Sequence, residues 1–451
     1  MYQVIEKVLD EHSSELEELA LKIWDTPEMA WKEEKACAWT AALLESYGFT
    51  VEIGAYQMPT AIRAVWGEGA PVVGFCGEYD CLPGLSQEVC PVNRPVIPGD
   101  DGHGCGHNLL GVGCVGACLG VKEALMAAHK PGTVIFYGCP AEEQMTGKGF
   151  MARAGAFKEC DFTLAWHPSA DARDNYGEHT GVEGAVFSFY GRTAHAAAAP
   201  ENGRSALDAV QLMNMGVEFL REHVTSDVRI HYTITDGGLV PNIVPDFAAS
   251  KFYVRALSRE ATKDTYARVI KCAEGAALMT DTKLKITHLG GLYPTLQNRV
   301  IGEIVQKYKK RLPPLQYTEE EIAFAKEMNR QSPLYKEEVP PFKANSQPVS
   351  MDNIYGSTDY GDVQHICPGY QVHECTAPSL TPGHSWMMTS ASGSSIGLKG
   401  MLRAAKVMAC AAYELMTDKE KLDDAKAEFR ETMGSEAYEC PVDETIPWPY
   451  N

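Results

Sequence analysis

The segment GDDGHGCGHNLLG, residues 99–111, places Cys105 and His107 two positions apart among glycines. A thiolate and an imidazole are ligands for a borderline divalent metal. A C-x-H spacing brings both side chains to one cluster only if the backbone bends, which glycine permits. Further along, Glu142 and Glu143 close GTVIFYGCPAEE, His167 closes CDFTLAWHP, Glu78 and Asp80 close VVGFCGEYD, and His384 lies in TPGHSW. Adjacent carboxylates offer a division of labour, one binding metal while its neighbour takes a proton from activated water. Each signal alone is weak. An EE pair is usually solvated, a histidine before proline is more often structural, and C-x-H also occurs in redox sites. Two other chemistries drop out. A phosphate loop needs a lysine or the GxGxxG spacing, and GHGCGHN has neither. A GxSxG nucleophile elbow is absent from the strand–helix junctions of the first α/β part.

These residues share a placement. Each ends an apolar strand or sits in a Gly/Pro loop, so one sheet edge could gather them. Residues 1–48 carry a helical pattern ending at Gly48. FTVEIG, TAIRAVWG and APVVGFCGEYD then read as strands, followed by a helix over about 109–129. GTVIFYGC, the short helix MARAGAF and CDFTLAWHPS continue the alternation, which predicts a mostly parallel α/β sheet. Near residue 183 the pattern changes. GAVFSFYGRTAHAA, GRSALDAVQLMNMGVEFLREHV, VRIHYTITDGG, FAASKFYVRAL and KDTYARVIKCAEGAALMT read as strand, helix, strand, strand, helix. This predicts an inserted α+β (ferredoxin-like) domain at 183–296, with residues 1–182 and 297–451 forming the rest. Residues 312–349 look like an exposed insertion with a helical middle, TEEEIAFAKEMNR. A long helix starts near Ser392, and CPVDETIPWPYN is expected to be irregular.

A chain of 451 residues exceeds what a single core supports, which also predicts two domains. A formal charge of −20 argues against nucleic acid or an anionic membrane surface as partner. The N-terminal segment is an acidic amphipathic helix pattern without the basic and apolar regions of a signal peptide. The apolar run from Leu109 is interrupted by Lys122 and Glu123, and reads as a buried helix rather than a membrane span. The 14 cysteines have no framework spacing, which predicts reduced thiols and a cytoplasmic location. Cys37, Cys114, Cys118, Cys160, Cys272 and Cys410 read as small apolar residues.

In combination the motifs are specific. The order GEYDCLPG, HGCGHN, PAEE, WHPS, GRTAHAAAAPENGRSALDA and a late GHSW resembles the M20 metallopeptidase and amidohydrolase family. Within it the resemblance is to the amidohydrolase branch that includes indole-acetyl-amino-acid and p-aminobenzoyl-glutamate hydrolases, and it covers nearly the whole chain. It implies two divalent metal ions, held by Cys105, His107, Glu143, His167 and His384. Thiolate and imidazole donors favour Zn2+, with Mn2+, Co2+ or Ni2+ as alternatives. Glu142 matches the general base. Asp80 matches an aspartate that orients a ligand histidine two positions earlier. Glu78 stands at that earlier position here, so Asp80 is expected to lack its usual histidine partner. Asn108 replaces the aspartate of the main CGHD pattern, removing a negative charge beside the ligands. His103 is expected to be structural.

The resemblance also implies that 183–296 is a lid and dimerisation domain. There His195 matches a histidine that reaches an active site, often that of the other protomer, to stabilise the oxyanion. Asn242 and Arg255 match substrate-contacting positions, and Arg255 could grip a carboxylate bidentately. The implied reaction is hydrolysis of N-acyl or N-aroyl amino acids, p-aminobenzoyl-glutamate-like compounds among them, by a homodimer. A binding or regulatory protein on an inactive scaffold would be expected to have lost ligands, and all five are present; two further alternatives stay open. One is a dipeptidase or carboxypeptidase using the same metals. The other is a chain active only within a hetero-oligomer.

Overall fold

The computed structural model describes residues 1–344 and 349–450. Residues 345–348, near the end of the expected 312–349 insertion, lie outside the described residues. Three helices open the chain: α1 (Tyr2–Glu11), α2 (Ser13–Trp24) and α3 (Glu34–Ser46). β1 (Thr50–Ile53), β2 (Ile62–Glu68) and β3 (Val72–Glu78) follow, then α4 (His107–Ala128), β4 (Gly132–Cys139), α5 (Gly147–Arg153) and β5 (Phe162–Ser169). After a second group of elements the chain returns with α8 (Arg299–Arg311), α9 (Glu319–Arg330), α10 (Tyr360–Gln364) and β10 (Gly369–Cys375). It closes with α11 (Trp386–Ser392), α12 (Ser395–Thr417) and α13 (Lys419–Met433). The first sheet has the order β1-β2-β4-β3-β5-β10. β4, β3, β5 and β10 run parallel, while β1 and β2 add an antiparallel edge. This is the mostly parallel α/β sheet that the strand–helix alternation predicts.

The centre of this unit is α4. It is apolar on every side, the pattern of a helix buried all round. By length and composition it could cross a membrane, but 83% of its most apolar window is buried inside the protein. It packs between β3 and α12, with α1 and α2 against it. Small residues allow the approach. A Cβ on Gly113 would lie 2.5 Å from Nε1 of Trp166, whose N–H donates to the Leu110 carbonyl.

The middle of the chain forms a second, wholly antiparallel sheet. Its elements are β6 (Gly181–Tyr190), α6 (Ala206–Leu220), β7 (Arg229–Asp236), β8 (Phe247–Ala256), α7 (Arg259–Thr280) and β9 (Lys283–Leu292). The strand order is β7-β8-β6-β9, and α6 and α7 bury their apolar faces in a separate core with Phe187, Phe189, Phe252 and Val254. The sequence pattern anticipates five of these elements and misses β9. Its alternation, KLKITHLGGL, follows a long helix directly and ends in two glycines before the last leucine. The expected irregular tail is irregular but well packed. Val442 and Ile446 are buried, and Trp448 lies against Phe150 of α5 with ring centroids 5.1 Å apart.

Gly113→Ala forces a methyl into the Trp166 indole, an overpacking change expected to cost about 1–3 kcal/mol. A lowered urea midpoint with an unchanged slope is the expected result. An unchanged midpoint would show that α4 can move away from the sheet.

Candidate metal centre

The parallel strands deliver their polar residues at one edge of the sheet, as α/β architecture favours. β3 ends at Glu78, with Asp80 just beyond. β4 leads into a left-handed Ala141 (φ 57°) and then Glu142 and Glu143. β5 carries His167 near its end. Gly106 (φ 78°) caps α4, and a side chain there would crowd Pro168. That turn points Cys105 and His107 toward the same edge. His384 arrives from the loop before α11, itself left-handed (φ 53°), and its backbone N–H donates to the Gly104 carbonyl at 2.9 Å. Non-glycine residues at positive φ beside Glu142 and Glu143 and at His384 mark local strain of the kind found at functional sites.

The five expected ligands converge. Donor atoms of Cys105, His107 and His167 lie within 4.8 Å of one another, as do those of Cys105, Glu143 and His384. Cys105 belongs to both triads. Its Sγ is 3.4 Å from Nε2 of His167. Glu143 Oε2 is 3.5 Å from Nε2 of His384. A third grouping joins Glu78, His107 and Glu142. Among the described residues, His107 Nε2 and Glu143 Oε1 are buried without a hydrogen-bond partner. Sulfur, imidazole and carboxylate donors meeting around orphaned buried atoms fit a divalent metal centre. Glu142 faces the same space, with Oε2 3.9 Å from His107 Nε2.

Asp80 departs from expectation. It does not lack a histidine partner. Its Oδ1 lies 2.9 Å from Nδ1 of His107, and its Oδ2 accepts from the Glu143 N–H at 2.9 Å. The partner is thus supplied by α4 rather than from two positions earlier in the chain. This contact holds the His107 ring with Nε2 toward the cluster, as is usual for ligating histidines. Burial alone would raise the Asp80 carboxyl, but the hydrogen bond and charge of His107 outweigh it and hold it below the usual range. Burial pushes the Cys105 thiol up to about 12 and Glu143 up to about 7, and lowers His167 to about 4. Burial, then Glu78 and Glu143, raises Glu142 well above the ordinary carboxylate range. Burial thus favours the protonated forms of Cys105 and Glu142, with which a metal bound there would compete.

Beneath the cluster lies a network that the motifs did not announce. Lys148 of α5 is fully buried, with Nζ 2.5 Å from both Glu78 Oε1 and Asp359 Oδ1. Its backbone N–H donates to Asp359 Oδ2 at 2.7 Å. Glu78 commits one oxygen to Lys148 and sets the other 3.4 Å from His107 Nε2. Glu33 is a second residue the motifs missed. Its Oε1 accepts from the strained Ala141 N–H at 2.8 Å. A lysine in GKGFM and an aspartate in GSTDYGD carry only faint signals, since nothing local marks either as buried. His103 is buried with Nε2 3.1 Å from the Ile23 carbonyl, the structural role expected of it. Asn108 donates to the Ala20 and Ser392 carbonyls, pinning α4 to α2 and α11 rather than supporting a ligand directly.

A cavity of about 730 Å³ opens onto the cluster, and Cys105, Glu142, Glu143, His167 and His384 all line it. Arg255 of β8 lines it too. Its Nη1 donates to Ser357 Oγ at 2.6 Å and its Nε to His231 Nε2 at 3.0 Å. His195 and Asn242 are not brought there. Neither is buried, and they lie together at the end of the second sheet, where the Ala196 N–H donates to the Asn242 carbonyl. His195 Nδ1 accepts from the Ala197 and Ala198 N–H groups, so its proton sits on Nε2.

Residues 177–281 match the family model of the peptidase dimerisation domain. The chain is 37% identical to a p-aminobenzoyl-glutamate hydrolase subunit of Escherichia coli (strain K12), over 99% of this chain and 98% of that protein. It is 29% identical to Xaa-Arg dipeptidase of Mus musculus, over 94% of this chain and 90% of the relative. In fold it resembles a dinuclear metal binding peptidase from the M20 family of Bacillus subtilis, with a TM-score of 0.63 and 16% identity, covering 90% of this chain and 99% of the other.

Lys148→Met leaves Asp359 and Glu78 buried without a counter-charge, an expected loss of about 3–5 kcal/mol at neutral to alkaline pH. The sign with pH follows from Asp359, which burial already pushes up to about 6. Without the ammonium its folded value rises further, while the unfolded value stays near about 3.9. The folded state then binds the extra proton between those values, so stability falls as pH rises through the window and returns on acidification. Urea midpoints of both proteins, measured at mildly acidic and mildly alkaline pH, check this. A difference independent of pH would contradict it.

Proposed function

Given that this chain belongs to the M20 family of metallopeptidases and amidohydrolases, we propose that it hydrolyses the amide bond of N-acyl and N-aroyl amino acids, p-aminobenzoyl-glutamate among them. It is a metallo-amidohydrolase. The observation that carries the substrate reading is a single cavity lined both by Arg255 and by Cys105, Glu143, His167 and His384, members of two candidate metal-holding groups that share Cys105. In this reading Cys105, His107, Glu143, His167 and His384 hold two divalent ions, and their sulfur and imidazole donors favour zinc, with manganese, cobalt and nickel chemically compatible. Bound there, such ions supply Lewis acidity to an amide carbonyl and make water more acidic.

The chain's own residues do the rest. Glu142 takes a proton from the attacking water at its carboxylate and returns it to the leaving amine. Asp80 keeps the His107 ring fixed. Arg255 has no carboxylate partner among the described residues and is oriented by Ser357 and His231, so its guanidinium is free to pair with the substrate carboxylate. Residues 183–296 act as lid and dimerisation domain in this proposal, with 1–182 and 297–451 as the catalytic part. The β7 edge exposes Tyr232 and Ile234, Leu239 in the following loop is fully exposed, and Phe219 of α6 is 69% exposed. An apolar edge of this kind suits a second copy of the chain. His195 then serves the cavity of that second copy, offering its Nε2–H to the developing oxyanion. Fourteen free thiols fit a reducing, cytoplasmic setting.

Two second readings have specific support. The likeness to a dipeptidase favours small peptides, which assay of Xaa-Arg dipeptides would detect. The likeness to one subunit of a hydrolase favours a hetero-oligomer, which a chain active when expressed alone would exclude.

Glu142→Ala is expected to keep its metal content and lose turnover by roughly 100- to 10,000-fold on p-aminobenzoyl-glutamate. Near-normal kcat, with metal measured in the same sample, would remove Glu142 from the base role. Mixing Glu142→Ala and His195→Ala chains after unfolding and refolding together should restore part of the activity that neither has alone. No recovery in a verified mixed dimer would show that His195 does not act across the interface.

A further inference from the structure

The cavity has a polar end that the metal centre and Arg255 leave unused. Gln371 lines it from β10, is 1% exposed, and has no partner at either Oε1 or Nε2 among the described residues. Two residues further along the same face, His373 also lines the cavity, and its Nδ1 is buried and unpartnered. In the parallel register with β5, His373 stands beside His167 and Gln371 beside Ala165. The small alanine leaves room next to Gln371 that a larger side chain would fill. His179 lies past His373, with ring centroids 6.4 Å apart.

A buried amide with both ends unpaired is costly and uncommon in a native protein. Gln371 belongs to the cavity wall, so its amide is within reach of a ligand that settles against that wall. Gln371 contributes an acceptor and a donor, and the imidazoles can play either part. None of the three is a carboxylate, lysine or arginine, and Lys309 behind His373 is already paired with Asp174, so a charged substituent would be buried there without a free counter-charge. A neutral group that donates to Gln371 Oε1 and also accepts from its Nε2, as an amine nitrogen with a lone pair can, fits this pair. Arg255 already accounts for the carboxylate of an amino acid, and the Gln371 end lies beside His167 along the sheet, so this end falls to the acyl side of the scissile amide.

We propose that Gln371, with His373 and His179, forms a specificity subsite for aroyl groups that carry an uncharged hydrogen-bonding substituent of the arylamine class. The proposal rests on the amidohydrolase reading above. Its test compares p-aminobenzoyl-glutamate with benzoyl-glutamate, which differ only in the amine. Dissociation constants are measured by calorimetry on the metal-loaded Glu142→Ala protein, with and without Gln371→Met, and kcat/KM on the proteins that retain Glu142. Gln371→Leu repeats the test with a different shape should the methionine variant fold poorly. The expected result is a preference of about tenfold or more for the amine-bearing compound, falling toward unity when Gln371 is replaced. A preference that survives both replacements, or no preference in the parent protein, overturns the subsite. Hydrolysis of neither compound, together with a binding preference that depends on Gln371, keeps the subsite and overturns the hydrolytic reading.

Discussion

Asp80 is the residue on which the candidate metal centre turns. One carboxylate, fully buried just past β3, meets the ring of His107 with one oxygen and the backbone N–H of Glu143 with the other. It thereby locks together the ends of two strands and the first turn of α4. Without that clasp His107 would be free to rotate, and Glu143 would leave a buried N–H unpaired. The contact also explains why burial does not silence the residue. A charge in the interior survives when it is paired and hydrogen-bonded on both oxygens, and Asp80 is.

The layer beneath follows the same logic with more charge. Lys148, Glu78 and Asp359 bring three ionisable groups into a dry region below the cluster. Their mutual attraction offsets desolvation only because the geometry is close and fixed, with a backbone N–H adding a further bond. Apolar residues of similar size could fill that space with no desolvation penalty. A placement role for the network accounts for its presence, since it leaves Glu78 with one oxygen committed and the other aimed at His107.

Much of this was legible in the chain because strands in parallel sheets present their ends. Glu142, Glu143, His167 and Asp80 all stand at or just after the ends of apolar runs, and the glycines around Cys105 announce a turn. The partner of Asp80 was not legible, because it depends on how α4 approaches β3 in space and not on spacing within one motif. Lys148 and Gln371 were hidden for a related reason. A lysine in a short helix or a glutamine in GYQVHEC looks solvated until the tertiary fold buries it. β9 escaped notice because its alternation follows α7 directly, and β10 because GYQVHEC is buried almost throughout and shows no clean alternation. The separation of His195 and Asn242 from the cavity is likewise a property of the fold and not of the motifs that contain them.

The irregular tail has a mechanical role out of proportion to its lack of regular structure. Trp448 and Tyr450 close an aromatic stack on Trp31 and Phe150, and Arg153 donates to the carbonyls of Asp443 and Ile446 while lying over the Trp448 ring. The helix held in this way is α5, which carries Lys148. A segment without regular structure therefore clamps the helix that supports the floor of the cluster. Loosening that clamp would slacken Lys148 and, through Glu78, the setting of His107, so packing well away from the cluster helps to decide how firmly the cluster is held.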